Sequence, residues 1–275
     1  MKKPVSRQQM SDALPTVVFL TMSGGLQDAY SYCVRGQVFA NAQTGNIVLM
    51  SQHLFMGQWS MVLRYLIPIC AFACGVFVAE QVKARYQRLQ AVHWRQLIVL
   101  GEIALLLVVG FLPGQADYLA NALTSFACAM QVQAFRKVNG NAYASTMCIG
   151  NLRSGVEAFS AYLRTKNRAL IKKSGQYFGV IFLFALGAGL GGVLSANFGR
   201  RTIWISCGLL LFSFVLMFIR EDIEADPAIE GAVRQLRRDD ADILDQTALV
   251  GNLLKDELHR EETAIFTDGK PRGKP

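Results

Sequence analysis

The chain contains six long apolar segments, each close to the length that crosses the hydrocarbon core of a bilayer. A transmembrane helix needs about 20 mostly apolar residues. One soluble core cannot bury so many runs of this length, so the pattern predicts an all-α polytopic membrane helix bundle. The segments lie at 14–34, 61–82, 97–113, 118–135, 177–197 and 202–219.

Two further stretches, 38–57 and 141–162, are compatible with helices but are more polar. If both crossed the membrane, the basic loop at 83–95 would lie on the outer side. If each enters and leaves on one side, most Lys and Arg residues face the cytoplasm, as the positive-inside rule requires. We therefore expect six spans plus two re-entrant or short polar helices, with both termini cytoplasmic.

The two polar stretches also indicate an internal repeat with an offset of 105 residues. Thr44-Gly45-Asn46 follows the first span, and Ile149-Gly150-Asn151 follows the fourth. Each copy contains three crossings, an odd number, so the second copy must be upside down relative to the first. The sequence thus predicts two inverted three-span repeats, at 14–113 and 114–220.

Charge separates the chain into an apolar basic body and an acidic tail. Residues 1–220 hold 20 Lys or Arg and six acids, whereas residues 221–275 hold eight Lys or Arg and 14 acids. The basic residues lie between apolar runs rather than on one soluble face, which argues against a nucleic-acid partner. We expect a cytoplasmic N-terminus at 1–13, a bilayer-embedded body, and a cytoplasmic tail at 221–275 with an amphipathic helix.

Three short motifs in the first repeat resemble the YoaK-like family of uncharacterised bacterial multi-pass membrane proteins. They are Gly24-Gly25-Leu26-Gln27-Asp28-Ala29, Gly36-Gln37-Val38-Phe39-Ala40-Asn41 and Thr44-Gly45-Asn46. The resemblance covers about residues 12–220 and leaves the acidic tail outside. It implies a six-span protein of the bacterial inner membrane with no assigned activity. Gln43 and Ile149 depart from the family pattern, and Ile149 removes a hydroxyl from the second turn.

Two acidic residues lie inside predicted spans, where an ionised carboxylate costs about 2.5–3.5 kcal/mol. Asp28 is in the first span and Glu102 is in the third, so both side chains should face the bundle interior. We interpret them as candidate proton or cation sites, with Arg153 as one candidate partner for Glu102. The alternatives are local hydrogen bonding of Asp28 at an interface and snorkelling of Glu102 toward the inner headgroups.

The repeated turns are the second candidate site. Thr44, Gly45 and Asn46 in the first copy, and Gly150 and Asn151 in the second, combine flexible glycine with side chains that can bind free N–H groups. At mid-membrane depth the two helix N-termini would point at one place, as in discontinuous transporter helices. The alternative is plain capping of two interfacial helices.

Arg153 and Glu157 are four residues apart, so they share one helix face and can form an ion pair. We consider this pair either a gate or a local salt bridge. Gly187 and Gly191 also lie four apart, with Ala71, Gly75 and Ala79 in the matching span. Such spacing is typical of close helix packing in membranes rather than of nucleotide binding.

The sequence favours a secondary transporter or permease for an unidentified small solute. The alternative is a membrane scaffold that recruits a cytosolic partner through the acidic tail. A homo-oligomer is compatible with either. We find no set of residues typical of an enzyme, a metal site or a bound cofactor, so the prediction is a protein without catalytic residues and without a cofactor.

Overall fold

The computed structural model describes residues 14–86, 94–138, 141–142, 146 and 148–225. These residues are helical, as predicted, apart from turns and one pair of two-residue antiparallel strands, β1 (Lys137–Val138) and β2 (Asn141–Ala142). The α-helices are α1 (Leu14–Val34), α2 (Gln43–Phe55), α3 (Trp59–Tyr86), α4 (Trp94–Phe111), α5 (Asp117–Ala134), α6 (Cys148–Thr165), α7 (Arg168–Phe198) and α8 (Ile203–Ala225).

The two polar helices begin later than the sequence predicted. α2 begins at Gln43 rather than at residue 38, because the preceding residues form a turn that is held by side-chain hydrogen bonds. α6 begins at Cys148 rather than at residue 141, because Asn141 and Ala142 pair with β1. Both predicted starts were therefore wrong by several residues, although the helices themselves exist.

The long helix α7 begins well before the predicted residue 177. Asn167 is its N-cap, and the Asn167 Oδ1 accepts a hydrogen bond from the Ala169 N–H at 2.9 Å. An Asn at this position satisfies one of the free N–H groups at a helix start, which explains the added turns. Of the other five apolar segments, four agree with α1, α3, α4 and α5 to within a few residues, and the fifth, 202–219, begins one residue before α8.

The bundle has buried polar residues beside its apolar core, and large apolar residues also cover its outside. The side chains of Thr21, Gln27 and Gln131 on α1 and α5 are almost fully buried. Large apolar side chains face outward on the other helices, with Phe77 65% exposed and Phe182 67% exposed. Large exposed apolar side chains together with buried polar ones are unusual for a water-soluble protein and fit a chain whose outer surface contacts lipid.

Among the described residues, three helical stretches are long and apolar enough to cross a membrane by length and composition: Trp59–Tyr86, Trp94–Phe111 and the 50-residue stretch Arg168–Met217. The last stretch joins α7, a short 3-10 turn and most of α8. Within the described residues α1 and α5 fall below the same criterion, because amide and hydroxyl side chains interrupt their apolar sequence. Their polar residues are buried inside the bundle, where neighbouring helices cover them.

Glycines set the two closest helix crossings. A Cβ atom added at Gly187 of α7 would overlap the carbonyl of Met22 on α1, and one at Gly25 of α1 would overlap the carbonyl of Phe184 on α7. On the other side, a Cβ at Gly75 of α3 would overlap the carbonyl of Phe126 on α5. The predicted small-residue packing is confirmed at these crossings, where helix backbones touch.

Residues 220–275 form a separate unit from residues 1–219. Only residues 220–225 of this unit are described, as the end of α8. The predicted amphipathic helix of the tail and the predicted cytoplasmic N-terminus at 1–13 both lie outside the described residues.

Candidate functional site

Five buried polar side chains from four helices meet inside the bundle. We name them the central cluster: Ser23 and Gln27 of α1, Glu102 of α4, Cys128 of α5 and Ser206 of α8. Their side chains are bonded to one another rather than to water, since each residue is at most 1% exposed. Residues distant in sequence are thus joined in one polar site within an apolar bundle.

Gln27 is the hub of the central cluster. Its Nε2 lies 3.0 Å from Glu102 Oε1, 3.0 Å from Ser23 Oγ and 3.1 Å from Ser206 Oγ. The two serine hydroxyls are 2.5 Å apart, and the Cys128 thiol donates to Gln27 Oε1 at 2.6 Å. One amide therefore connects α1 to α4, α5 and α8. Any change in its position would alter hydrogen bonds to side chains on all four helices.

Glu102 is fully buried, and its Oε2 has no hydrogen-bond partner among the described residues. Its Oε1 accepts from the Gln27 amide. The predicted partner, Arg153, was wrong: Arg153 is exposed on α6. The prediction that Glu102 faces the bundle interior is confirmed, and the alternative of a snorkelling carboxylate is excluded by its burial.

Asp28 and Glu102 form hydrogen bonds with different parts of the chain. We name its surroundings the turn region, comprising Asp28, Phe39, Asn41 and Asn46. The Asp28 Oδ1 accepts a hydrogen bond from the Asn41 N–H at 2.7 Å, and the backbones of Ala40 and Ala42 also interact with this carboxylate. The carboxylate thus holds the turn that precedes α2.

The Asn46 side chain also stabilises this turn through hydrogen bonds. Its Oδ1 accepts from the Phe39 N–H at 3.0 Å, and its Nδ2 donates to the Phe39 carbonyl at 2.7 Å and to Gln43 Oε1 at 2.9 Å. The predicted capping by Thr44-Gly45-Asn46 was wrong, because Ala42 is the N-cap and makes no side-chain capping bond. Thr44 is exposed, and Gly45 lies against the Phe39 ring.

The second turn resembles the first only in part. Asn46 and Asn151 each occupy the fourth position of their helix, and both side chains are buried. Gly150 is exposed, and no atom lies within 4 Å of the place where its Cβ would be. Cys148, the first residue of α6, is within electrostatic range of Asp28. The turn before α2 therefore binds Asp28 directly, whereas α6 interacts with it only electrostatically, through Cys148.

The proposed gate pair is not formed. Arg153 and Glu157 are both exposed on α6, and within residues 148–165 no ion pair joins them. An exposed pair with arginine first is among the weaker helical pairs, which explains why the two side chains extend separately.

Sequence reasoning missed Arg35, which is 1% exposed and lies at the end of α1. Its guanidinium contacts Asp117 Oδ1 at 2.9 Å, the Tyr30 hydroxyl at 2.8 Å and the Val109 carbonyl at 2.7 Å. It also donates to the Leu112 carbonyl at 3.1 Å. Arg35 thus binds the free carbonyls at the C-terminal end of α4, where a cation is favoured. A lone arginine directly after an apolar span was the available signal.

The other missed residues are neutral. Ser23 and Gln27 are four apart and so share one face of α1, a spacing that pointed to a polar stripe inside the first span. Cys128 was interpreted as a packing residue, and it is buried, but its thiol also donates to Gln27. In the part of the chain that the structure describes, no group of three His, Cys, Asp or Glu residues is placed to hold a metal ion.

A helical bundle with apolar side chains outside and buried polar side chains at its centre is an integral membrane protein. Residues 16–216 match the model of a family described as a protein of unknown function (DUF1275), so the chain belongs to that family. It is similar to the UPF0700 transmembrane protein YoaK of Bacillus subtilis (strain 168). The two are 22% identical over 206 residues, covering 72% of this chain and 90% of the relative. The resemblance to the YoaK-like family is confirmed. No solved structure matches the chain.

Proposed function

We propose that this protein is a secondary transporter or permease for a small solute, located in the bacterial inner membrane with both termini in the cytoplasm. The observation that carries the proposal is the central cluster, with a fully buried glutamate that has a free oxygen. Polar and acidic groups inside a membrane bundle are costly and mark solute or ion pathways by default. A buried glutamate of this kind does not stabilise a purely structural bundle, since well-packed apolar side chains would stabilise it more.

In this proposal α1, α3, α4, α5, α7 and α8 are six spans in two inverted repeats. The support is a reciprocal exchange of helices between the two halves. α1 of the first half packs on α7 of the second, while α5 of the second half packs on α3 of the first. α2 and α6, which begin 105 residues apart, would be the re-entrant helices. Sites between inverted repeats are typical of secondary transporters.

Within this site the predicted residues take different roles. Asp28 and Glu102 provide the acidic groups, and Asn46 and Asn151 hold the starts of the polar helices. Thr44, Gly45 and Gly150 are more accessible and would border the path by which solute reaches the centre. Because the central cluster is closed in this structure, the halves must separate for a solute to enter.

The experiment is to measure the reaction of Cys128 with N-ethylmaleimide, in the full chain reconstituted in vesicles. All other cysteines are replaced by serine, namely Cys33, Cys70, Cys74, Cys148 and Cys207. Maleimide reacts with a hydrated thiolate, so a thiol in a permanently dry core is inert. Transport by alternating access exposes the centre to water, and we expect Cys128 to react steadily.

The matched control is a variant that keeps only Cys207. This thiol is also buried, but it faces the Ile103 carbonyl at 3.9 Å on α4, outside the central cluster. We expect Cys207 to react much more slowly than Cys128. Equal and negligible rates at both positions would indicate a solid bundle and contradict the transporter proposal.

The scaffold alternative rests on the acidic tail, which has eight basic and 14 acidic residues. A chain that ends at residue 220 distinguishes the two functions. If the body is a transporter, Cys128 of the shortened chain still reacts with N-ethylmaleimide. If the tail recruits a cytosolic partner, the shortened chain no longer binds that partner.

A further inference from the structure

The two buried carboxylates of the bundle are surrounded by donors of different kinds. Asp28 accepts from the Asn41 backbone N–H in the turn before α2, and the backbones of Ala40 and Ala42 also interact with it. Backbone N–H groups are fixed by the fold, and the N-terminal ends of helices carry partial positive charge. These groups stabilise a carboxylate that stays ionised.

Glu102 has fewer hydrogen-bond donors around it than Asp28 has. Its one hydrogen-bond donor among the described residues is the Gln27 amide, whose Nε2 also lies within hydrogen-bond distance of Ser23 and Ser206. An amide nitrogen carries two hydrogens, so three oxygens compete for two protons. The second oxygen of Glu102 has no donor among the described residues, although it is completely buried. An ionised carboxylate in such surroundings would be largely uncompensated.

No cation faces Glu102 from the helices that surround it. α5 contributes the Cys128 thiol and α8 contributes the Ser206 hydroxyl, and neither group carries a charge at neutral pH. Cys207 of α8 lies outside the central cluster, against the Ile103 carbonyl, and is also an uncharged thiol. The buried arginines of the described bundle are engaged elsewhere. Arg35 pairs with Asp117, and Arg95 lies over the rings of Trp94 and Phe135. Asp28, the nearest other acid along α1, adds negative charge.

From this contrast we propose that Glu102 is the proton-binding group of the central cluster and holds a proton at neutral pH. Asp28 remains ionised and positions the turn. The inference rests on the proposed transporter and deepens it, because it names the coupling ion of the same site. A proton on Oε2 neutralises the carboxyl group in the closed bundle. When the halves separate, water reaches Oε2, accepts the proton and later returns one from the other side.

The test uses infrared spectroscopy of the full chain in vesicles at neutral pH, where a protonated buried carboxyl group gives a separate C=O stretching band. We expect this band in the wild-type protein. It should be lost in Glu102→Gln and kept in Asp28→Asn. Loss of the band in Asp28→Asn with its survival in Glu102→Gln would overturn the assignment, and so would the absence of any such band in the wild-type protein.

Glu80→Gln is the matched control. Glu80 is a glutamate on the spanning helix α3, but it accepts from Gln133 and lies 3.5 Å from the Lys83 ammonium. Its replacement should leave the band unchanged. A second measurement needs no variant: wild-type protein made with carbon-13 glutamate should show a shifted band, and protein made with carbon-13 aspartate should not. The reverse isotope result would contradict the proposal even if Glu102→Gln did not fold.

Failure of this inference is separable from failure of the transporter proposal. If Cys128 is inert but the glutamate band is present, the bundle does not open and the proton site remains. If Cys128 reacts but the band is absent, the protein opens to water without a proton on Glu102.

Discussion

The turn region and the central cluster depend on consecutive residues of one helix, yet they are built differently. Asp28 holds a turn through backbone N–H groups, whereas Gln27 connects four helices through side chains alone. Backbone donors can move only if the chain refolds, but side-chain donors move whenever helices slide. In the proposed transport cycle, the turn region would be the fixed frame and the central cluster would be the part that rearranges.

Gln27 and Asp28 both lie on α1, which packs closely against α7, and the largest expected effect comes from breaking that contact. In Gly187→Val, the added side chain overlaps the backbone of Met22, which no rotamer change can relieve. We expect the free energy of unfolding to fall by at least about 3 kcal/mol, since overpacking a close backbone contact is costly. Unfolding in mixed micelles with sodium dodecyl sulfate would measure it.

Gly189→Val is the control on the same helix. Gly189 is exposed, and nothing lies within 4 Å of its Cβ position. Valine is only a slightly better helix former than glycine, so this change should alter stability by less than about 0.5 kcal/mol. Similar losses in the two variants would contradict the crossing as described.

The turn region should be the next most sensitive. Asn46→Ala removes three hydrogen bonds and leaves the Phe39 N–H and carbonyl without their partner. Unsatisfied buried groups cost about 1–3 kcal/mol, so we expect a loss near 2 kcal/mol in the same unfolding assay. Thr44→Ala, at an exposed neighbour, should change stability by less than about 0.5 kcal/mol. An equal effect at both positions would show that the turn is not held by Asn46.

Much of the fold follows from the sequence because long apolar runs leave few choices. The six spans predicted by length all coincide with helices, and the position of Gly187 and Gly191 indicated a close crossing. The start of α2 was missed because hydrogen bonds from residues 39–43 to Asp28, remote on α1, and to Asn46, within α2, hold these residues in a turn. The start of α6 was missed because Asn141 and Ala142 pair with β1.

The candidate site was predicted only through its acids. Asp28 and Glu102 attracted attention because a charge in the membrane is costly, and both are buried. Ser23, Cys128 and Ser206 carry no charge, and their meeting depends on how four helices pack. Arg35 was missed although its burial is as costly, because its partners Asp117 and the carbonyls of α4 are remote in sequence.

The smallest expected effects compare the two carboxylates directly and test the central claim, that Asp28 is a fixed ionised anchor and Glu102 a neutral group. Asp28→Asn removes the charge that the turn stabilises, and we expect a loss of about 1.5 kcal/mol. Glu102→Gln replaces a protonated carboxyl with a neutral group of the same shape, and we expect a loss below about 0.5 kcal/mol. The measurement is the free energy of unfolding of both variants at neutral pH. A greater loss in Glu102→Gln than in Asp28→Asn would contradict the account.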